Sequence, residues 1–312
     1  PKPCLVMEWC AFGCLTDVLK NPDETICWPE FFSFGSQMLQ SVYALHIREP
    51  PIVHRDLKSL NYLVDRYYCI KLCDFGLARM TQQKGTTIRE SLAEELRNTR
   101  GTYEYLAPEI YSGEIYTAKS DIYSLAIILW EIAYRCLKRE WMKPYGDLKH
   151  MIPAALYISV AKRQSRPKFP DNCPPIIRDL ITGAWHQDPA QRPSIDILMS
   201  AFLATQQVYE SNTTEWDALI APPEESADVA IELPNDDDDQ VRRSTSGQNP
   251  PEESDISVPE SSDSSDSSGS FQQEALLSQY KALMEKFPND LPLFERMLRR
   301  LAEKLENRSA SD

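Results

Sequence analysis

Glycine is sparse in this chain, ten residues in 312, and no two of them stand in a Gly-x-Gly spacing. A glycine-rich loop whose backbone amides could cradle phosphates is therefore absent from these residues. Long apolar runs are absent too. The longest, Leu125 to Trp130, ends at Glu131, far short of the roughly 20 residues that cross a bilayer, and no secretory signal pattern is visible. The eight cysteines (Cys4, Cys10, Cys14, Cys27, Cys69, Cys73, Cys136 and Cys173) contain no Cys-x-x-Cys pair. Free thiols in a reducing compartment fit them, which places the protein in the cytoplasm.

A basic stripe is also lacking. The formal net charge is −14, from 33 Lys and Arg against 47 Asp and Glu. The acidity is local: residues 209–270 hold 17 acidic residues and two arginines, while residues 1–208 hold 23 acidic and 24 basic ones. No nucleic-acid face follows from that balance, and an acidic segment repels both nucleic acid and anionic membrane.

Three regions emerge. Residues 1–208 carry the periodic apolar pattern of a folded domain. A buried strand is expected at Leu5–Glu8, a short helix at Leu15–Lys20 after Gly13, and a core-facing helix from Pro29 to Arg48. Short strands are expected at Tyr62–Val64 and Cys69–Leu72. A long segment from Asp74 to Glu109 reads as a functional loop. An apolar, buried helix spans Ala118–Cys136, and further helices are expected near 154–163, 175–185 and 194–208. Residues 209–270 are rich in Pro, Ser, Asp and Glu and are expected to be a disordered acidic linker. Residues 271–308 show two apolar helical stripes flanking Pro288-Asn289-Asp290. They read as a helical hairpin that either dimerises the chain or docks on its folded part.

The chemistry concentrates in two strings. Residues 54–61 read His-Arg-Asp-Leu-Lys-Ser-Leu-Asn, and Asp74-Phe75-Gly76 follows thirteen positions beyond Asn61. The first supplies a carboxylate able to take a hydroxyl proton (Asp56), an ammonium for phosphate charge (Lys58) and an amide oxygen for a metal (Asn61). The second supplies a further metal carboxylate (Asp74) on a glycine-hinged turn. Phosphoryl transfer needs positioning and charge neutralisation more than covalent help, and these parts match it. Ala107-Pro108-Glu109 lies downstream.

With these motifs, residues 1–208 closely resemble the C-terminal lobe of a eukaryotic protein kinase, a mainly α fold. The run from Asp56 to Asn61, with Ala184-Trp185-His186-Gln187-Asp188-Pro189-Ala190-Gln191-Arg192-Pro193, resembles the tyrosine-kinase-like group of Ser/Thr kinases. The resemblance implies ATP and Mg2+ as co-substrate and cofactor, Asp56 and Lys58 as catalytic residues, and Asn61 and Asp74 as magnesium ligands. It implies a hinge at Met7-Glu8-Trp9-Cys10 that meets adenine through main-chain Glu8 and Cys10. Leu63 becomes the pocket floor, Asp17 a polar neighbour of the ribose, and Cys14 a thiol at the pocket lip. Cys73 is a second position where related enzymes carry a modifiable thiol. Lys58 and Gly101-Thr102 imply serine and threonine substrates. Arg55 implies an activation loop ordered by phosphorylation, with Thr86, Thr87, Ser91 and Thr99 as acceptors. His54 and Phe75 are expected to pack, Asp121 to hold the catalytic-loop backbone, and Glu109 to pair with Arg192.

A Val-Ala-x-Lys strand is missing along with the glycine loop. The chain opens with Pro1 instead of Met, so a small nucleotide-covering lobe is expected upstream. As given, the 312 residues are expected to have negligible activity alone. The alternative is a pseudokinase-like scaffold that uses the same fold to bind protein partners.

Overall fold

The computed structural model describes Cys4 and residues 6–81, 103–147 and 153–222. A short helix and a long one open the fold. Helix α1 (Leu15–Lys20) starts after Gly13, whose φ of +71° lies in the left-handed region that a side chain disfavours. Helix α2 (Trp28–His46) has a proline in its first turn, and Glu30 reaches back to accept from the Cys27 amide at 2.9 Å. Its buried residues Trp28, Phe31, Phe32, Gly35, Met38, Leu39 and Val42 recur at helical spacing.

Four short strands follow: β1 (Ile52–Val53), β2 (Tyr62–Val64), β3 (Ile70–Leu72) and β4 (Arg79–Met80). They form two antiparallel pairs. Tyr62 faces Leu72 and Val64 faces Ile70 in the β2–β3 pair, while Ile52 faces Met80 in the β1–β4 pair. The chain then continues through α3 (Pro108–Tyr111), α4 (Ala118–Lys138), α5 (Pro153–Tyr157), α6 (Pro175–Ala184), α7 (Ile195–Glu210) and α8 (Thr213–Asp217). Helix α5 runs on into a π turn at Ile158–Lys162.

Helix α4 is the axis. Thr117 and Ser120 close a capping box at its start, and from Asp121 to Leu137 every side chain except Ser124 is buried. A helix covered on all sides must be surrounded, and α2 and α6 lie against it, with α7 bridging those two. Gly35 permits the α2–α7 contact: a Cβ there would fall 2.2 Å from the Phe202 ring.

Most of the expected elements form within one to three residues of their predicted ends. Three expectations need correction. Residues 6–9 are not a strand; Val6 and Trp9 are 94% and 83% exposed, and no strand among the described residues lies beside them to supply ladder hydrogen bonds. The loop from 74 to 109 contains β4 and the start of α3. The folded domain also runs past residue 208. Trp216 of α8 is buried edge-on against Trp28 at 5.1 Å, its carbonyl accepts from Trp28 Nε1 at 2.9 Å, and the Ala221 amide donates to Leu137 at 2.9 Å. An acidic composition hid one aromatic anchor. The candidate phosphoacceptors at 86–99, Gly101-Thr102, the remainder of the acidic linker and the 271–308 hairpin lie outside the described residues.

Candidate active site

The 54–61 loop runs between β1 and β2 and is fastened from below by α4. Asp121, in the first turn of that helix, accepts from the backbone amides of His54 (2.8 Å) and Arg55 (3.0 Å) and contacts His46 Nε2 at 2.9 Å. These bonds hold Arg55 at φ 73°, an unfavourable conformation for a residue with a Cβ. Strain is thus stored next to Asp56 and kept there by a buried carboxylate.

Asp56 is itself buried. Its Oδ2 accepts from Lys58 Nζ at 2.6 Å and from Asn61 Nδ2 at 3.0 Å, while Oδ1 has no hydrogen-bond partner among the described residues. Asn61 Nδ2 also donates to the Asp56 carbonyl at 2.8 Å, so the amide nitrogen faces the loop and the side-chain oxygen is left for another ligand. The β2–β3 pairing brings the second string alongside: the Cys73 amide donates to the Asn61 carbonyl at 2.9 Å. Asp74 follows on the exposed side of the hairpin at φ 59°, with Oδ1 accepting from the Gly76 amide at 3.3 Å.

Among the described residues no three His, Cys, Asp or Glu side chains gather into a metal cage. Asn61 and Asp74 offer two oxygen donors, a set that suits a hard cation keeping waters or phosphate oxygens for its remaining positions.

His54 packs instead of reacting. Its ring stands edge-on to Phe75 with centroids 5.1 Å apart, and Nε2 donates to the Cys73 carbonyl at 3.2 Å. Burial pushes its pKa down, which favours the neutral imidazole despite the nearby Asp121.

Of the residues expected on the adenine side, those from Phe12 to Cys14 lie along β2. Phe12 donates to Val64 at 3.1 Å, Val64 donates to Gly13 at 2.9 Å, and Cys14 bridges to Leu63. Cys10 is buried, Met7 and Glu8 are exposed, and the Glu8 carboxylate pairs with Lys71 of β3. Asp17 is committed locally: one carboxylate oxygen accepts from both the Cys14 amide and the Cys14 thiol, at 3.2 and 3.0 Å. Burial, and then that hydrogen bond, push the Cys14 thiol up; burial and the Asp74 charge do the same to Cys73.

A family model described as protein tyrosine and serine/threonine kinase matches residues 1–202. The chain belongs to this protein kinase family. Among its kinase relatives, stress-activated protein kinase alpha of Dictyostelium discoideum is 39% identical over 223 residues, which cover 71% of this chain and 34% of the relative. Ankyrin repeat-containing protein kinase A of the same organism is 39% identical over 228 residues, 72% of this chain and 15% of the relative. Serine/threonine-protein kinase CTR1 of Arabidopsis thaliana is 35% identical over 201 residues, 64% of this chain and 22% of the relative. The kinase chain therefore aligns with about a seventh to a third of the length of these relatives.

Two further features of the kinase domain stand out. Glu109 and Arg192, both buried, meet in a two-pronged ion pair with both contacts at 2.7 Å, and Ser120 Oγ adds a third bond to Glu109 at 3.0 Å. The second feature escaped the sequence reading. Ser59, Tyr105 and Trp141 converge on the buried carboxylate of Glu131, and Thr16 joins them through Ser59. One signal was available: an acidic residue closes the most apolar stretch of the chain, where a buried charge has to be answered by something.

Proposed function

We propose that this chain is the hinge and large lobe of a protein serine/threonine kinase of the tyrosine-kinase-like group, transferring the γ-phosphate of ATP to protein hydroxyls. The observation that carries this reading is the asymmetry of the Asp56 carboxylate. Oδ2 is held by Lys58 and Asn61, which fixes the group, and Oδ1 accepts no hydrogen bond among the described residues. A substrate hydroxyl is the natural donor to such an oxygen, and Asp56 would orient it and take its proton. Lys58, already at the carboxylate, is placed to offset charge on the transferring phosphoryl. Asn61 and Asp74 would hold Mg2+, which supplies charge neutralisation to the phosphate oxygens when bound. Main-chain Glu8 and Cys10, with Leu63, Cys14 and Asp17 around them, would receive the adenosine. The Ser/Thr class is supported by Lys58 and by the names of the relatives.

The cytoplasmic placement rests on the cysteine pattern, and no helix among the described residues is long and apolar enough to cross a membrane. A second reading, a non-catalytic scaffold, would be favoured by a full-length protein whose upstream sequence has neither a glycine loop nor a Val-Ala-x-Lys strand. One measurement separates the two. In the full-length protein, Asp56→Asn should cut turnover on a generic Ser/Thr substrate by about 10²-fold or more. Near-normal turnover in that variant removes Asp56 from the mechanism, and a wild-type protein that transfers nothing favours the scaffold.

A further inference from the structure

Glu131 lies fully buried in the middle of α4, and no ion pair reaches it among the described residues. Its Oε1 accepts from Trp141 Nε1 at 2.8 Å and lies 3.1 Å from Ser59 Oγ; its Oε2 lies 3.0 Å from the Tyr105 hydroxyl. Ser59 Oγ is in turn 3.1 Å from that hydroxyl and 2.6 Å from Thr16 Oγ1. Ser59, Tyr105 and Glu131 thus form a closed triangle, with Thr16 and Trp141 attached.

Proton counting discriminates between two states of this cluster. There are five contacts, but three hydroxyls and one indole N–H supply four protons. With an ionised carboxylate, Ser59 and Tyr105 both donate to Glu131, Thr16 donates to Ser59, and the Ser59–Tyr105 contact holds only lone pairs. One added proton on Oε2 fills every contact. Glu131 then donates to Tyr105, Tyr105 to Ser59, Ser59 to Oε1, and Thr16 and Trp141 donate as before.

The surroundings favour the added proton. The charge of Lys20 on α1 pulls Glu131 down less than its hydrogen bonds do, and the Lys20 ammonium lies 4.5 Å over the Trp141 ring. Arg135, one turn along α4, gives its guanidinium to the carbonyls of Leu19, Asn21 and Glu24. In the catalytic loop Lys58 and Asp56 face each other. Burial accordingly pushes Glu131 up to about 7.

We propose that Glu131, as the neutral acid, is a positioning residue that locks the catalytic loop at Ser59 to the 103–105 segment and to α1. Ser59 sits between Lys58 and Asn61, so a hydroxyl ring closed on it fixes the backbone that carries Asp56 and its partners. The effect on catalysis rests on the kinase reading above; the ring itself does not. Loss of the proton opens the Ser59–Tyr105 contact and loosens the loop, so phosphoryl transfer declines as pH rises through neutrality.

The test uses the full-length protein and Glu131→Gln, whose amide donates to Tyr105 and accepts from Ser59 and Trp141 as the neutral acid does. Wild-type kcat on a Ser/Thr peptide should fall by about threefold to tenfold from one pH unit below 7 to one and a half above it. E131Q should keep its low-pH rate across the whole range. Over that interval the infrared carbonyl stretch of a neutral carboxylic acid should disappear from wild type and be missing from E131Q. Amide hydrogen exchange at 56–61 should quicken with pH in wild type only. An E131Q protein that follows the wild-type pH profile, or that is slower than wild type by tenfold at low pH, overturns the proposal. Wild-type protein without transfer, yet with the infrared and exchange changes, refutes the kinase reading and leaves the ring standing.

Discussion

Two buried carboxylates, Glu109 of α3 beside the start of α4 and Glu131 in the middle of α4, are met in opposite ways. At the start of the helix Glu109 faces a guanidinium with matched geometry, and Arg192 gives its remaining donors to the carbonyls of His186, Lys119 and Gln187. In the middle, Glu131 meets hydroxyls and an indole, and no cation pairs with it among the described residues. Burial alone does not decide what a carboxylate does. The chemistry of its partners decides whether charge is retained and used as a clamp, or is exchanged for a proton and used to order hydroxyls.

Breaking the clamp should have the largest effect. Arg192→Ala leaves Glu109 buried beside Ser120 alone, and denaturant unfolding should show a loss of about 3–5 kcal/mol. A loss under about 1 kcal/mol would mean that Glu109 reaches water or another partner, and the contrast between the two sites would collapse.

Stability against pH sharpens the comparison next. Glu131 is raised from an ordinary value of 4.5 to about 7, so between those values the native state holds a proton that the unfolded chain has released. Wild-type stability should therefore fall relative to E131Q as pH rises from 4.5 to 7, by a total on the order of 3 kcal/mol, and run parallel above that. Parallel curves over the whole range would show that Glu131 is ionised throughout.

The smallest effect extends the contrast to thiols. Cys14 and Cys73 are half-buried, with their acidity weakened by burial and by neighbouring carboxylates. A small alkylating reagent near neutral pH should label exposed Cys4 and Cys69 before either of them, read by peptide mass spectrometry. Preferential labelling of Cys14 would show that a cation outweighs Asp17 there.

How much of this was legible follows from how far apart the cooperating residues lie in the chain. Asp56, Lys58 and Asn61 fall within six positions, and Asp74 is joined to them by one hairpin, so the acid–lysine–amide set could be read directly. Helix α2 could be read because its buried residues recur at the helical period, and α4 because its sequence is strongly apolar throughout. The Glu131 cluster could not: Thr16, Ser59, Tyr105 and Trp141 come from four separate segments, and a hydroxyl side chain carries no periodic signal. The strand expected at Leu5–Glu8 failed for a related reason, since an apolar run says nothing about whether a neighbour will complete its ladder. Asp17 was read as facing a ribose, whereas local capping at the start of α1 engages one of its oxygens first. Trp216 was lost in an acidic surrounding that composition alone assigns to solvent.

That tryptophan has a mechanical consequence. Trp216 is pinned to Trp28 of α2, and the Ala221 amide on Leu137, with Arg139 Nε on the Ala221 carbonyl at 2.8 Å, fastens residue 221 to the end of α4. Asp121, which grips the catalytic loop, stands sixteen residues back along the same helix, about 24 Å away at 1.5 Å per residue. Tension applied from the C-terminal side would be taken up at that far pin and carried by a rigid strut, so a load on the tail leaves the geometry around Asp56 undisturbed until the Trp216 anchor itself gives way.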